Sequence, residues 1–226
     1  MRELIASNTD ESAYQSFEQG AGGDISIGFD LMAESVFVKY LKPFGTVCSE
    51  ESGCIEGPGD AEIVIDPIDG SDNLKSNFPY YGAAIALREN GKTVAAVISN
   101  FANGDAFVKH ASTHYQTHLS DLNLCKAVTP NPYAKVGLFE KAPAHPELSR
   151  ALIEEGLKFR SPGAIALSLS YAYHVKYVIF FGTMRSYDID AGYYMCEDLY
   201  RFQDDELLIV AKDQEVFDRL LKVFKR

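Results

Sequence analysis

Long apolar runs are missing from this chain: no stretch approaches the roughly 18 consecutive apolar residues that a membrane-spanning helix needs. The opening residues, MRELIASNTDES, carry acids where a secretory signal needs an apolar core, so neither a span nor an export signal is expected. Cysteine is scarce as well. Cys48, Cys54, Cys125 and Cys196 form no C-x-x-C pair and are too few for a disulfide scaffold, and they read as reduced thiols of a cytoplasmic protein. Basic residues are in deficit, with 21 Lys and Arg against 32 Asp and Glu and a net charge of -11. Such a surface repels nucleic acid and anionic membranes, so neither is an expected partner, and phosphate chemistry on it calls for cations. What remains is ordinary globular material: 226 residues, 46% of them hydrophobic, enough for one large unit or two packed halves.

The stretch from Glu62 to Asn73, EIVIDPIDGSDN, concentrates the chemistry. Ile63, Val64 and Ile65 form a β-branched run suited to a buried strand, and Asp66 and Asp69 follow at its end. Pro67 biases Asp66 away from helical backbone, and Gly70 permits a sharp turn, so both carboxylates are expected on one side of a tight turn, as a hard cation requires. Ser71 reads as a helix N-cap, with backbone N–H groups near Gly70 and Ser71 facing an anion. The same residue types also make ordinary turns, and the motif alone leaves both readings open.

Asp66-Pro67-Ile68-Asp69-Gly70-Ser71 resembles the signature of the inositol monophosphatase family, Asp-Pro-Ile/Leu-Asp-Gly-Thr/Ser. Three further segments are similar to parts of that family: Gly23-Asp24-Ile25-Ser26 leading into Asp30-Leu31-Met32-Ala33-Glu34, the acidic loop Ser49-Glu50-Glu51-Ser52, and Arg160-Ser161-Pro162-Gly163-Ala164-Ile165-Ala166. Tyr187-Asp188-Ile189-Asp190-Ala191-Gly192 resembles its second signature. The resemblance, spanning about Gly23 to Gly192, implies an α/β fold: a layered α-β-α-β-α sandwich with mixed sheets, usually dimeric. It also implies a magnesium-dependent phosphomonoesterase with two or three Mg²⁺ ions, acting on a small-molecule phosphate ester. By that analogy Glu50, Asp66 and the Ile68 carbonyl hold one cation, Asp66, Asp69 and Asp188 hold another, and Asp30 with Ser71 orients the attacking water. Substrate contacts are expected from Asp69, Gly70, Ser71, Gly163, Ala164 and Arg185. The family's inositol-gripping Glu is Phe181 here, which removes an expected hydroxyl contact. Arg185 resembles an Arg of archaeal members that accept both inositol 1-phosphate and fructose 1,6-bisphosphate, and it is expected to hold a second phosphate. Alternatives are a 3′-phosphoadenosine 5′-phosphate phosphatase and a non-catalytic sugar-phosphate-binding relative.

Elsewhere the pattern predicts a first helix over residues 3–18, a second over Phe29 to Leu41, and a hairpin turning at Glu89-Asn90-Gly91-Lys92. An antiparallel meander is expected onward to Val128. The Pro-rich stretch Thr129 to Pro146 suggests a boundary between halves at 1–128 and 129–226, the second with alternating helices and strands. His110, His114 and His118 recur every four residues, a spacing open to a metal cluster or to a half-exposed strand.

Overall fold

The computed structural model describes residue 5, residues 11–23 and residues 25–224. Its elements stack in five layers, each justified by the alternation of its apolar residues. The eight-stranded sheet runs in the order β10-β9-β8-β7-β6-β5-β3-β4. These are β3 (Thr46–Ser49), β4 (Gly53–Ile55), β5 (Glu62–Asp69), β6 (Gly82–Glu89), β7 (Lys92–Asn100), β8 (Asp105–His110), β9 (Thr113–His118) and β10 (Asp121–Ala127). Its β3–β5 pair is parallel and the rest antiparallel, so the sheet is mixed. A second, five-stranded sheet, ordered β12-β11-β13-β15-β14, comprises β11 (Gly137–Glu140), β12 (Phe159–Arg160), β13 (Tyr177–Phe181), β14 (Tyr200–Gln203) and β15 (Leu207–Ala211).

Helix α1 (Gly28–Leu41) covers the outer face of the first sheet, where Phe29 and Ala33 pack with Ile68 and Ala83. Its other face meets α4 (Ile165–Ser170) and α5 (Ser186–Met195), whose Ala166, Leu167, Ala191 and Met195 close on Val64, Ala84, Ala96 and Phe107. The opposite side of the same two helices, through Leu169 and Ile189, packs on Val178, Phe180, Leu208 and Val210. Strand periodicity then sends Tyr177, Ile179, Leu207 and Ile209 outward, under α3 (Pro146–Glu154) and α6 (Gln214–Phe224). The result is the α-β-α-β-α sandwich. No described helix is long and apolar enough to cross a membrane.

Several local readings change. Where a first helix was expected, the described part shows a 3-10 turn at Glu11–Tyr14 and a strand β1 (Ser16–Gln19) pairing with β2 (Ile25–Ile27). The residues before 11, residue 5 excepted, and Asp24 lie outside the described residues. The proline-rich segment between the two halves contains β11, which pairs in parallel with β12 and β13 of the second sheet. Cys48 and Cys54 are not free thiols: they face each other across the β3–β4 hairpin and are joined by a disulfide. Cross-strand pairing creates this contact, and a rule based on C-x-x-C spacing cannot anticipate it. Cys125 and Cys196 are free. With a sequence separation of 6, the closed loop should contribute about 2 kcal/mol through the entropy of the unfolded chain. Reduction, or Cys48→Ser with Cys54→Ser, is therefore expected to lower Tm by about 4–8 °C in calorimetry. An unchanged Tm would mean that the bridge adds nothing to stability.

Candidate active site

Strand β5 does not stop at Asp66. It continues through the motif to Asp69, with the register slipping between the pairs Asp66↔Ala84 and Asp69↔Gly82. This bulge brings both carboxylates, buried, toward α4 and α5, and the Ile68 N–H donates to Asp66 Oδ1 at 2.9 Å. Gly70 then adopts φ 87°, and a Cβ there would come within 2.9 Å of the Tyr80 carbonyl. The N-cap of the short helix α2 (Ser71–Lys75) is thus Gly70, while Ser71 is its first residue and makes no capping bond. Asn73 Nδ2 ties this turn to the second half, donating to the carbonyls of Tyr80 and Pro162, both at 2.7 Å.

The other carboxylates arrive from separate elements. Glu50 follows β3 at the hairpin turn, with its N–H on the Ile65 carbonyl at 3.1 Å. That turn is held by Glu34 of α1, which accepts from the Ser52 N–H at 3.0 Å and the Ser52 hydroxyl at 2.6 Å. Asp188 lies in the first turn of α5. One oxygen each from Glu50, Asp66 and Asp188 lies within 4.8 Å of the others, and among the described residues this is the only such group of three or more His, Cys, Asp or Glu. The His110, His114 and His118 cluster is therefore not assembled: His118 instead bonds Ser120 and the Asn103 carbonyl within its strand pairing. Asp69 stands beside the trio rather than in it, with Oδ2 accepting the Leu167 N–H at 2.8 Å.

Every residue singled out above as a site candidate (Asp30, Glu50, Asp66, Ile68, Asp69, Gly70, Ser71, Gly163, Ala164, Arg185 and Asp188) lines one cavity of about 770 Å³. Burial, reinforced by Glu50, Asp69 and Asp188, pushes the Asp66 carboxyl well above the usual range. Asp69 is raised in the same direction, again chiefly by burial. Asp30 is raised to about 7 by burial, although one oxygen accepts the Ile27 N–H at 2.7 Å and so caps α1. Its Oδ1 is buried with no hydrogen-bond partner among the described residues. An orphaned carboxylate oxygen beside three crowded carboxylates, all hard oxygen donors, fits a magnesium-type cation.

The Arg185 guanidinium lines the cavity and is engaged by the acids: Nε and Nη2 meet Asp188 Oδ2 and Oδ1 at 2.7 and 3.1 Å, and Nη1 meets Glu50 Oε1 at 3.0 Å and the Gly22 carbonyl at 2.9 Å. At the N-terminus of α4, the Gly163 N–H donates to Glu140 Oε2 at 2.8 Å and the Leu167 N–H to Asp69 Oδ2 at 2.8 Å. Phe181 points away, onto His145, and Phe180 is the cavity wall. Glu140 is the residue that sequence reasoning missed. Buried at the end of β11, it also accepts from the Ser168 hydroxyl, and burial raises its carboxyl. Its only sequence signal was an acid closing the apolar run Val136-Gly137-Leu138-Phe139.

Nus factor SuhB of Escherichia coli is 28% identical over 202 residues, covering 84% of this chain and 74% of that protein. A fructose-1,6-bisphosphatase/inositol-1-monophosphatase of Thermococcus kodakarensis is 30% identical over 92 residues, covering 40% and 36%. A crystal structure of an inositol monophosphatase–fructose 1,6-bisphosphatase superposes with a TM-score of 0.80 at 22% identity, covering 99% of this chain and 96% of that one. The pattern that defines the Inositol monophosphatase family matches residues 29–198, so a sandwich with acids gathered between its layers, and the sequence that folds into it, belong to that family.

Proposed function

We propose that the protein is a magnesium-dependent phosphomonoesterase that hydrolyses a small sugar or inositol phosphate, inositol 1-phosphate or fructose 1,6-bisphosphate, with water as nucleophile. The observation that carries this reading is the trio Glu50, Asp66 and Asp188 within 4.8 Å of one another, lining the cavity that Asp30 also lines. Glu50, Asp66 and Asp188 would hold the cation, with Asp69 and the Ile68 carbonyl completing a site for two or three. Bound magnesium supplies charge neutralisation and Lewis acidity at the phosphoryl group. The chain's own residues do the rest. Asp30, with a carboxyl near pH 7, is matched to take a proton from the attacking water, and Ser71 at the mouth of α2 orients it. Ser71, Gly70 and the Gly163-Ala164 wall would confine the ester, and a homodimer belongs to the same reading.

The test is phosphate release from inositol 1-phosphate, fructose 1,6-bisphosphate and 3′-phosphoadenosine 5′-phosphate, with Mg²⁺ or with chelator. Release should require Mg²⁺ and be inhibited by millimolar Li⁺. Turnover that persists in chelator would overturn the metal assignment. Binding of the esters without any release would favour the non-catalytic alternative. Insensitivity to Li⁺ would count only against close analogy with the family.

A further inference from the structure

The cation most intimately placed in the site is part of the chain. The Arg185 guanidinium lies across two of the three clustered carboxylates, engaging both oxygens of Asp188 and one of Glu50. Asp188 and Glu50 are buried, so their charges need a partner in place of water. The planar fork is suited to that task because it satisfies a carboxylate with two parallel bonds. Backbone geometry holds it there: Arg185 precedes α5 in extended conformation, three residues before Asp188, and also donates to the Gly22 carbonyl.

Resting on the metal-dependent reading above, we infer that Arg185 is an internal competitor of the divalent cation and sets how tightly the site takes it up. Guanidinium and metal draw on the same two carboxylates, Asp188 and Glu50. A guanidinium charge held within a few ångströms of those carboxylates therefore opposes the incoming dication, and the lone pairs that the arginine occupies are closed to the metal. The arrangement also keeps the acidic cavity folded when magnesium is scarce. Arg185 is in this sense a positioning residue, acting through Asp188 and Glu50 rather than on substrate.

The experiment is calorimetric titration of chelator-treated protein with Mg²⁺, and with Mn²⁺ monitored by paramagnetic resonance, on wild type, Arg185→Ala, Arg185→Lys and Asp66→Asn. Arg185→Ala is expected to bind the cation at least about ten-fold more tightly. It should also melt lower without metal and gain more in Tm at saturating metal than wild type does. Arg185→Lys, which keeps the charge but loses the fork, should fall between and covers the case in which the alanine variant does not fold. Equal or weaker binding by Arg185→Ala would overturn the inference, since the arginine would then be shaping Asp188 for the metal rather than competing with it. A different result, no cation uptake by wild type and none altered by Asp66→Asn, would instead remove the metal-dependent reading itself.

Discussion

Asp66→Asn should reduce phosphate release by at least about a thousand-fold and yet raise the thermal stability of the metal-free protein. The first effect follows from losing one of three clustered carboxylates, since metal-derived stabilisation of transition-state charge is worth several kcal/mol, about 4 of which is a factor of a thousand. The second follows from burial: Asp66 sits among Glu50, Asp69 and Asp188, and its ionised form is disfavoured first by desolvation and then by those neighbours. Asparagine keeps an oxygen for the Ile68 N–H and removes the charge, so a gain of about 1–3 kcal/mol is expected without metal. The pH dependence has the matching sign. Asp30 and Asp66 have folded pKa values above the unfolded 3.8, so between that value and the folded one the folded state holds the extra proton. Stability in chelator should accordingly fall as pH rises from about 4 to about 7, the folded value of Asp30, and fall less steeply in Asp66→Asn. Thermal melts across that interval check both statements; a Tm that climbed with pH, or an Asn variant less stable than wild type, would contradict the crowding argument.

Glu140→Ala is expected to cost about 2–3 kcal/mol of stability, near 4–12 °C in Tm, because it strands the buried Ser168 hydroxyl and leaves the Gly163 N–H without its acceptor. Activity should fall with it. The Pro162-Gly163-Ala164 wall of the cavity is fixed on one side by Glu140 and on the other by Asn73, so loosening it misplaces whatever the cavity holds. Glu140→Gln, which retains one acceptor, should recover part of both losses. An alanine variant that melted within about a degree of wild type would mean that water replaces the carboxylate at no cost.

What the sequence disclosed, and what it withheld, divides along the range of the interactions. The run Glu62 to Asp69, helix α1 and the Asn90-Gly91 turn were legible because proline, glycine and apolar periodicity act over a few residues. The motif's acids were visible, but their continuation of β5 through a bulge was not, since it depends on the register against β6. The Arg185 contacts with Glu50, the Glu140 contacts with Gly163 and Ser168, and the Cys48–Cys54 bridge all arise from pairings that chain topology creates. Phe180 and Phe181 show the narrowest margin. One residue of strand phase decides which of two identical side chains faces the cavity and which faces the outer helices.

Helix α5 is the seam of the molecule: one side packs on the eight-stranded sheet, the other on the five-stranded sheet, and its first turn carries Asp188. Its far end is also fastened, by the buried Lys109 of β8 to Glu197 and Asp198 at 3.0 and 2.9 Å. A cation shared by Asp188 with Glu50 and Asp66 would be a removable rivet between the sheets, its binding free energy added to that of folding. Amide hydrogen exchange in α5 and in the β3–β4 hairpin should then slow together as magnesium is added. Because proteases act on opened chains, the same linkage would make the protein's lifetime a readout of the magnesium around it.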